Sequence, residues 1–269
     1  MIDHDVHCHT LLSSCCNDER MTPPNIIAMA AQAGLSTIGF ADHFWDSSIP
    51  GASPWYKGQD WAHVSKLRDQ IPPDTQGLRV LFGCESEYCG DGKIGISAET
   101  ASLFDFVLLP MSHFHMSGGF TRPKDLSRPA DVAALLMARL REVVKIDFIT
   151  GIAHPLLPIG FMDYCDEILA MLDKSQLRDT FAKAAEMNIS IELNAGAFPG
   201  CNGGQTDGCH DESLLRILSL AKEAGCCFHF GSDAHSVEAF GRITKLAEYA
   251  EAIGIGQADI HPLFRSPGH

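Results

Sequence analysis

Histidine, aspartate and glutamate gather just after the short β-type runs of this chain, several of them two residues apart. His7-Cys8-His9 follows the first run and Asp233-Ala234-His235 the last. In extended backbone a spacing of two puts both side chains on one face. Asp42-His43, Glu85 with Glu87, His113 with His115, His154-Pro155, and Glu192 with Asn194 follow the runs between. Imidazoles and carboxylates brought to one point make a site for a borderline divalent cation such as zinc, manganese or iron. A carboxylate can bridge two ions, and Glu85 is the candidate. Two ions ~3.5–4 Å apart can hold a bridging hydroxide and stabilise the attacking and leaving oxygens of a displacement at phosphorus. One histidine at a strand end is ordinarily a satisfied polar residue. Many of them converging in one mouth would be costly without a ligand.

For these residues to meet, the runs must be parallel strands whose carboxyl ends open on the same side. The runs are residues 2–6, 35–40, 78–83, 104–109, 147–152, 189–193 and 226–231, each apolar and bounded by Gly, Pro or polar residues. Helical patterns separate them. Thr22 and Pro23 open one that Gly34 stops; others cover 131–145 and 166–187, the latter open to a break. Asp211 is expected to cap a helix ending at Gly225, and Ser236 another ending near Gly254. Strands alternating with helices predict a parallel α/β barrel in one domain over 1–269, with an aromatic insertion at 44–62 and a short tail at 255–269. All three tryptophans lie in the insertion, which is read either as a substrate wall or as an anchor for a long loop.

With these residues in place, the chain resembles the PHP family, named for polymerase and histidinol phosphatase. The resemblance is carried by His7-x-His9, Ala41-Asp42-His43, Gly83-Cys84-Glu85, His113, His154-Pro155 and Gly231-Ser232-Asp233-Ala234-His235. It implies a distorted (β/α)7 barrel with two or three divalent ions. One ion would take His7, His9, Glu85 and Asp233, and a second Glu85, His113 and His154. A third would take His43, His235 and a further histidine whose position is Cys15 here. Cys15 can ligate as a thiolate, Cys16 or Asp18 can substitute, or the thiol can simply pack in its loop. His115 competes with His113, and Glu87 with Glu85, for the implied roles. Layout and length resemble the histidinol-phosphate phosphatase branch.

The resemblance implies hydrolysis of a small phosphomonoester, with L-histidinol phosphate as the specific expectation. A metal-bridging hydroxide would attack phosphorus, with Glu85, Asp233 and His235 as the central residues. Arg122 and Asn194 are the candidate phosphate donors, with Lys124 and Arg242 behind them. Three other readings stand beside it: action on nucleotides or short oligonucleotides, an amidohydrolase-like C–N cleavage, and a binding module without activity. The balance of 20 Lys and Arg against 34 Asp and Glu, a net charge of −14, argues against long nucleic acid and anionic membranes as partners. No apolar run approaches a membrane span and no leader-like stretch opens the chain, so a cytoplasmic place with 10 reduced cysteines is expected. Cys201 and Cys209-His210, in a Gly-rich loop, form a weaker metal candidate.

Overall fold

The strands found at the seven apolar runs are all parallel. A computed structural model describes residues 2–116, 121–203 and 208–266. One sheet runs in the order β1-β2-β3-β6-β7-β8-β9. Its members are β1 (His4–Cys8), β2 (Thr37–Phe40), β3 (Arg79–Glu85), β6 (Phe106–Leu108), β7 (Gly151–Ile152), β8 (Ser190–Asn194) and β9 (Phe228–Gly231). A small antiparallel pair, β4 (Tyr88–Gly90) and β5 (Lys93–Ile94), follows β3. The last strand returns to the first. The Asp233 N–H donates to His7 O at 2.7 Å and the His9 N–H to Ala234 O at 3.1 Å. The result is a distorted (β/α)7 TIM-like barrel in a single domain, as expected.

Several strands extend past the apolar runs that announced them. The first was expected over 2–6 and spans His4–Cys8; the third continues to Glu85. Among the added residues His7 and Glu85 are charged or polar yet buried, because the mouth of the barrel encloses them. Apolar patterning ends where the site begins. The helical stretch at 166–187 is broken into Cys165–Ala170 and Lys174–Glu186, and the Asp173 side chain caps the second by accepting from Gln176 N–H at 2.9 Å. Asp211 is not a cap: it is the first residue of the helix Asp211–Glu223, and His210 stands at the cap position. Ser236 does cap, accepting from Ala239 N–H at 3.2 Å. No helix among the described residues is long and apolar enough to cross a membrane.

Phe106 fills the barrel interior. A Cβ on Gly83 would come within 2.3 Å of its ring, so a side chain there would expel it. Below it lies the segment that the sequence showed only as a tail. Ile260 bridges Phe228, the His261 N–H donates to Phe228 O at 2.9 Å, and Phe264 is fully buried. The Phe264 ring sits edge-on to Phe106 at 5.5 Å and 5.6 Å from the His229 ring. The tail, as far as it is described, is therefore the plug of the lower mouth.

Three buried imidazoles surround the Phe264 ring, and all are held below their usual pKa. Burial lowers His4 against the opposing pull of Asp3, and burial brings His229 to about 3 and His261 to about 4. Geometry agrees for His4: its Nδ1 donates to Asp3 at 2.7 Å, and its Nε2 accepts from the Phe230 N–H at 3.0 Å across the β1–β9 seam. A second proton would turn that acceptor into a donor facing a donor. The unfolded chain, with ordinary imidazoles near pH ~6.5, takes up these protons first. Stability is therefore unaffected by these groups above that pH and falls as pH drops through the range from ~6.5 toward ~4. Urea denaturation at stepped pH should show this decline; a flat profile over that range would contradict the assignment.

Candidate functional site

Seven strand ends bring the predicted residues into one buried cluster at the upper mouth. Their donor atoms fall into three groups, each within 4.8 Å: His7, His9 and Glu85; Glu85, His113 and His154; and His9, His43 and His235. Glu85 belongs to the first two groups, as a bridge would. Its Oε1 is 3.1 Å from His154 Nε2, and its Oε2 is 3.5 Å from His7 Nε2. His43 Nδ1 stands 2.9 Å from Glu85 Oε2, yet both atoms are buried without a hydrogen-bond partner of proper geometry. Asp233 Oδ1 approaches His9 Nε2 at 3.3 Å and His7 Nε2 at 3.6 Å.

The donor set fits divalent cations. His7 and His9 bring their Nε2 atoms to 3.2 Å, as do His113 and His154. Donors ~2.0 Å from a tetrahedral ion lie ~3.3 Å from one another. The far nitrogens are fixed by partners. His7 Nδ1 meets Glu192 Oε1 at 2.7 Å, and His113 Nδ1 meets Glu87 Oε2 at 2.7 Å. His9 Nδ1 is 3.0 Å from Ser13 Oγ, which spends its own proton on Asp42 at 2.7 Å. Each of these imidazoles thus donates through Nδ1 and turns Nε2 to the centre, the orientation that carboxylate and hydroxyl partners give to metal-binding histidines.

The backbone contributes too. His154 (φ 28°) and Asp233 (φ 53°) both adopt the left-handed region, uncommon for residues with a Cβ and frequent where a site imposes geometry. A Cβ on Gly231 would lie 2.1 Å from Glu192 Oε1 and 2.5 Å from His7 Cβ. Only glycine lets the Glu192 carboxylate reach His7.

Electrostatics couple the cluster. Burial raises the Glu85 carboxyl, but His43 and His7 outweigh it and hold it well below the carboxylate range. Burial lowers His7 and His43, while their carboxylate neighbours override it, taking His43 up to about 10. A cation entering here displaces protons, so its affinity should rise with pH. Cys15 lines the cavity above; burial raises its thiol, and His235 and His43 more than compensate, bringing it to about 7.

Not every predicted residue joins the cluster. His115 is exposed at the cavity rim, 5.4 Å from the His113 ring, and belongs to none of the three groups. Glu87 orients His113 rather than bridging. Arg122, expected to bind phosphate, donates to Leu126 O at 2.7 Å, lies over the Phe161 ring at 4.3 Å, and does not line the cavity. Gly118-Gly119, on which its placement rested, lie outside the described residues. Lys124 and Arg242 do not line the cavity either. Asn194 reaches the edge of the site, donating to Glu192 at 3.0 Å and lying 3.4 Å from Asp233 Oδ2. Cys209 and His210 face Cys165 and Asp166 instead of each other's neighbours, residues 204–207 between them and Cys201 being outside the described set. All ten cysteines are free thiols.

Within the insertion the two expected roles are divided. Trp45 and Tyr56 are buried anchors, Trp61 packs on Phe104 at 5.3 Å, and Trp55 faces the cavity.

Glu192 is the residue whose importance the sequence understated. It accepts from His7 with one oxygen and from the His154 N–H with the other, and it is 1% exposed. Glu192→Gln keeps the size but presents an amide N–H to one of two donors. It should weaken zinc binding or activity ~10–100-fold, measured by competitive zinc titration. An effect within twofold would remove Glu192 from the account.

No family model matches the chain. Relatives of nearly equal extent do match. A probable phosphatase of Aliivibrio fischeri is 26% identical over 253 residues, covering 94% of this chain and 85% of the relative. A probable phosphatase of Clostridium acetobutylicum is 23% identical over 251 residues, covering 93% and 85%. Among solved structures, a histidinol phosphate phosphatase from Lactococcus lactis subsp. lactis, complexed with zinc, L-histidinol and phosphate, aligns with a TM-score of 0.60 at 17% identity and covers 94% of both chains. That last likeness is one of fold.

Proposed function

We propose that this chain is a metal-dependent phosphatase that hydrolyses a small phosphomonoester. The observation that carries the reading is the sharing of Glu85 between two donor groups at the floor of a cavity of about 650 Å³. The relatives named as probable phosphatases support it.

His7, His9, Glu85 and Asp233 would hold one ion, and Glu85, His113 and His154 a second. His43 and His235, with Cys15, would hold a third, since His9 has only its Nε2 free and gives it to the first. Zinc, manganese and iron all suit these donors. Divalent ions in such a site supply Lewis acidity and lower the pKa of water. The rest falls to the chain. Glu192, Glu87 and Ser13 fix the imidazoles through their Nδ1 atoms, so little reorganisation is needed when charge develops at the floor. The buried floor keeps bulk water away from the phosphoryl group, while His235, its side chain 31% exposed, stands at the solvent side. His235 Nδ1 donates to Asp233 O at 3.0 Å, which leaves Nε2 to bind an ion or pass a proton to a departing alkoxide.

L-histidinol phosphate is the specific substrate that the likeness to a histidinol phosphate phosphatase brings forward. The test is phosphate release by metal-loaded protein from L-histidinol phosphate, mononucleotides and simple alkyl phosphates, each with a chelated control. Chelator-sensitive release is the expected result. Absence of release from every phosphoester by protein with bound metal would overturn the reading.

A further inference from the structure

The cavity above the cluster has one apolar side, set apart from Cys15 and His235 and from His115 at the rim. Trp55, Pro54, Met116 and Ile159 form its apolar side, and Ser53 is a neutral polar neighbour. Its only carboxylates are Glu85 and Asp233, both engaged by the imidazoles of the floor, and no Lys or Arg lines it among the described residues. Arg122 is committed to Leu126 O and the Phe161 ring.

Trp55 is braced rather than loose. Its ring stands edge-to-face against Tyr56 at 4.8 Å and against His43 at 4.8 Å, and its carbonyl accepts from Gln59 Nε2 at 2.9 Å. A phosphoryl group on the floor uses a small part of about 650 Å³. What remains suits a leaving group the size of a ring and its tether. A flat apolar group there gains ring contacts with Trp55 and a thioether contact with Met116. An ammonium or carboxylate on the leaving group would lose water and find no opposite charge on this wall.

We infer that the site selects phosphomonoesters whose leaving group is flat, apolar and uncharged, over those carrying an ammonium or a carboxylate. The inference rests on the phosphatase reading and refines it. It ranks L-histidinol phosphate, whose alcohol bears an ammonium, below an uncharged aromatic counterpart.

The experiment compares kcat/KM of metal-loaded protein for 2-phenylethyl phosphate, 2-aminoethyl phosphate, 2-carboxyethyl phosphate and L-histidinol phosphate. All are primary alkyl esters, and the ammonium, by stabilising the departing alkoxide, favours the aminoethyl and histidinol esters intrinsically, so a preference for the phenylethyl ester must come from the site. The phenylethyl ester should exceed each of the others at least ~10-fold, the scale of one well-made pocket contact. Trp55→Ala should collapse that ratio to ~2, and Met116→Glu, which places a carboxylate on the wall, should shift it ~10-fold toward the aminoethyl ester. Equal or better use of the aminoethyl, carboxyethyl or histidinol ester, with release still chelator-sensitive, overturns the inference and leaves the phosphatase reading intact. A ratio that neither variant moves also overturns it. Absence of chelator-sensitive release from all four overturns the phosphatase reading and the inference with it.

Discussion

Glu85→Gln should lower phosphate release at least ~1,000-fold, the scale of several kcal/mol of lost transition-state stabilisation. The amide is nearly isosteric, so the barrel should remain folded. What changes is charge. One Glu85 oxygen faces His154 at 3.1 Å and the other faces His43 at 2.9 Å. An amide offers one weak acceptor where two anionic oxygens stood, and it presents N–H donors to nitrogens that should bind cations. Metal content measured after gel filtration should fall together with activity. A variant that keeps both full metal content and more than a tenth of wild-type activity would remove Glu85 from the centre of the mechanism.

Phe264→Ala should destabilise the fold by ~3–5 kcal/mol, the range for deleting a buried aromatic ring. Phe264 is fully buried and touches Phe106, His229 and His261. Removing it opens the lower mouth beneath the Phe106 ring, and the backbone around it cannot collapse freely. The Ser266 hydroxyl bonds Asp3 at 2.6 Å and Arg79 donates to Leu263 O at 2.7 Å, which pins the segment on both sides. The ring lies at the end of the barrel away from the metal-ligand candidates. Activity per folded molecule should therefore hold while the urea midpoint falls. A loss below ~1 kcal/mol would show that the segment merely lies against the barrel.

These two expectations also mark what the sequence made legible. The seven strands and the cluster at their ends were readable because parallel buried strands are apolar runs, and because the ligand-type residues follow them two apart or singly. His7, His9, His43, Glu85, His113, His154 and His235 all arrive at one place, with Asp233 beside His7 and His9. The residues that orient them were harder to rank. Glu192 and Glu87 look like further candidate ligands in the sequence, and only the distances to His7 Nδ1 and His113 Nδ1 give them their role. Asp42 shares a motif with His43 but faces away, accepting from Thr10 and Ser13 to shape the first loop.

The plug was illegible for a different reason. Residues 255–266 lack helical or strand periodicity, and Phe264 is one of several apolar residues scattered among polar ones. Its burial depends on the open bottom of a barrel formed by residues far away in the chain. The setting of Arg122 was hard to read on similar grounds. A loop arginine can turn either way, and here a carbonyl and the Phe161 ring hold it.

The central claim is that the strand-end cluster binds divalent ions and that phosphoester hydrolysis depends on them. Stepwise addition of zinc or manganese to chelator-stripped protein tests it most directly, with bound ions and phosphate release from 2-phenylethyl phosphate and L-histidinol phosphate read in the same samples. Release should rise with occupancy and level off at two to three ions per chain, as the three donor groups predict. Phosphate release that is undiminished in stripped protein, or protein that fills with ions and releases phosphate from neither ester, would contradict it.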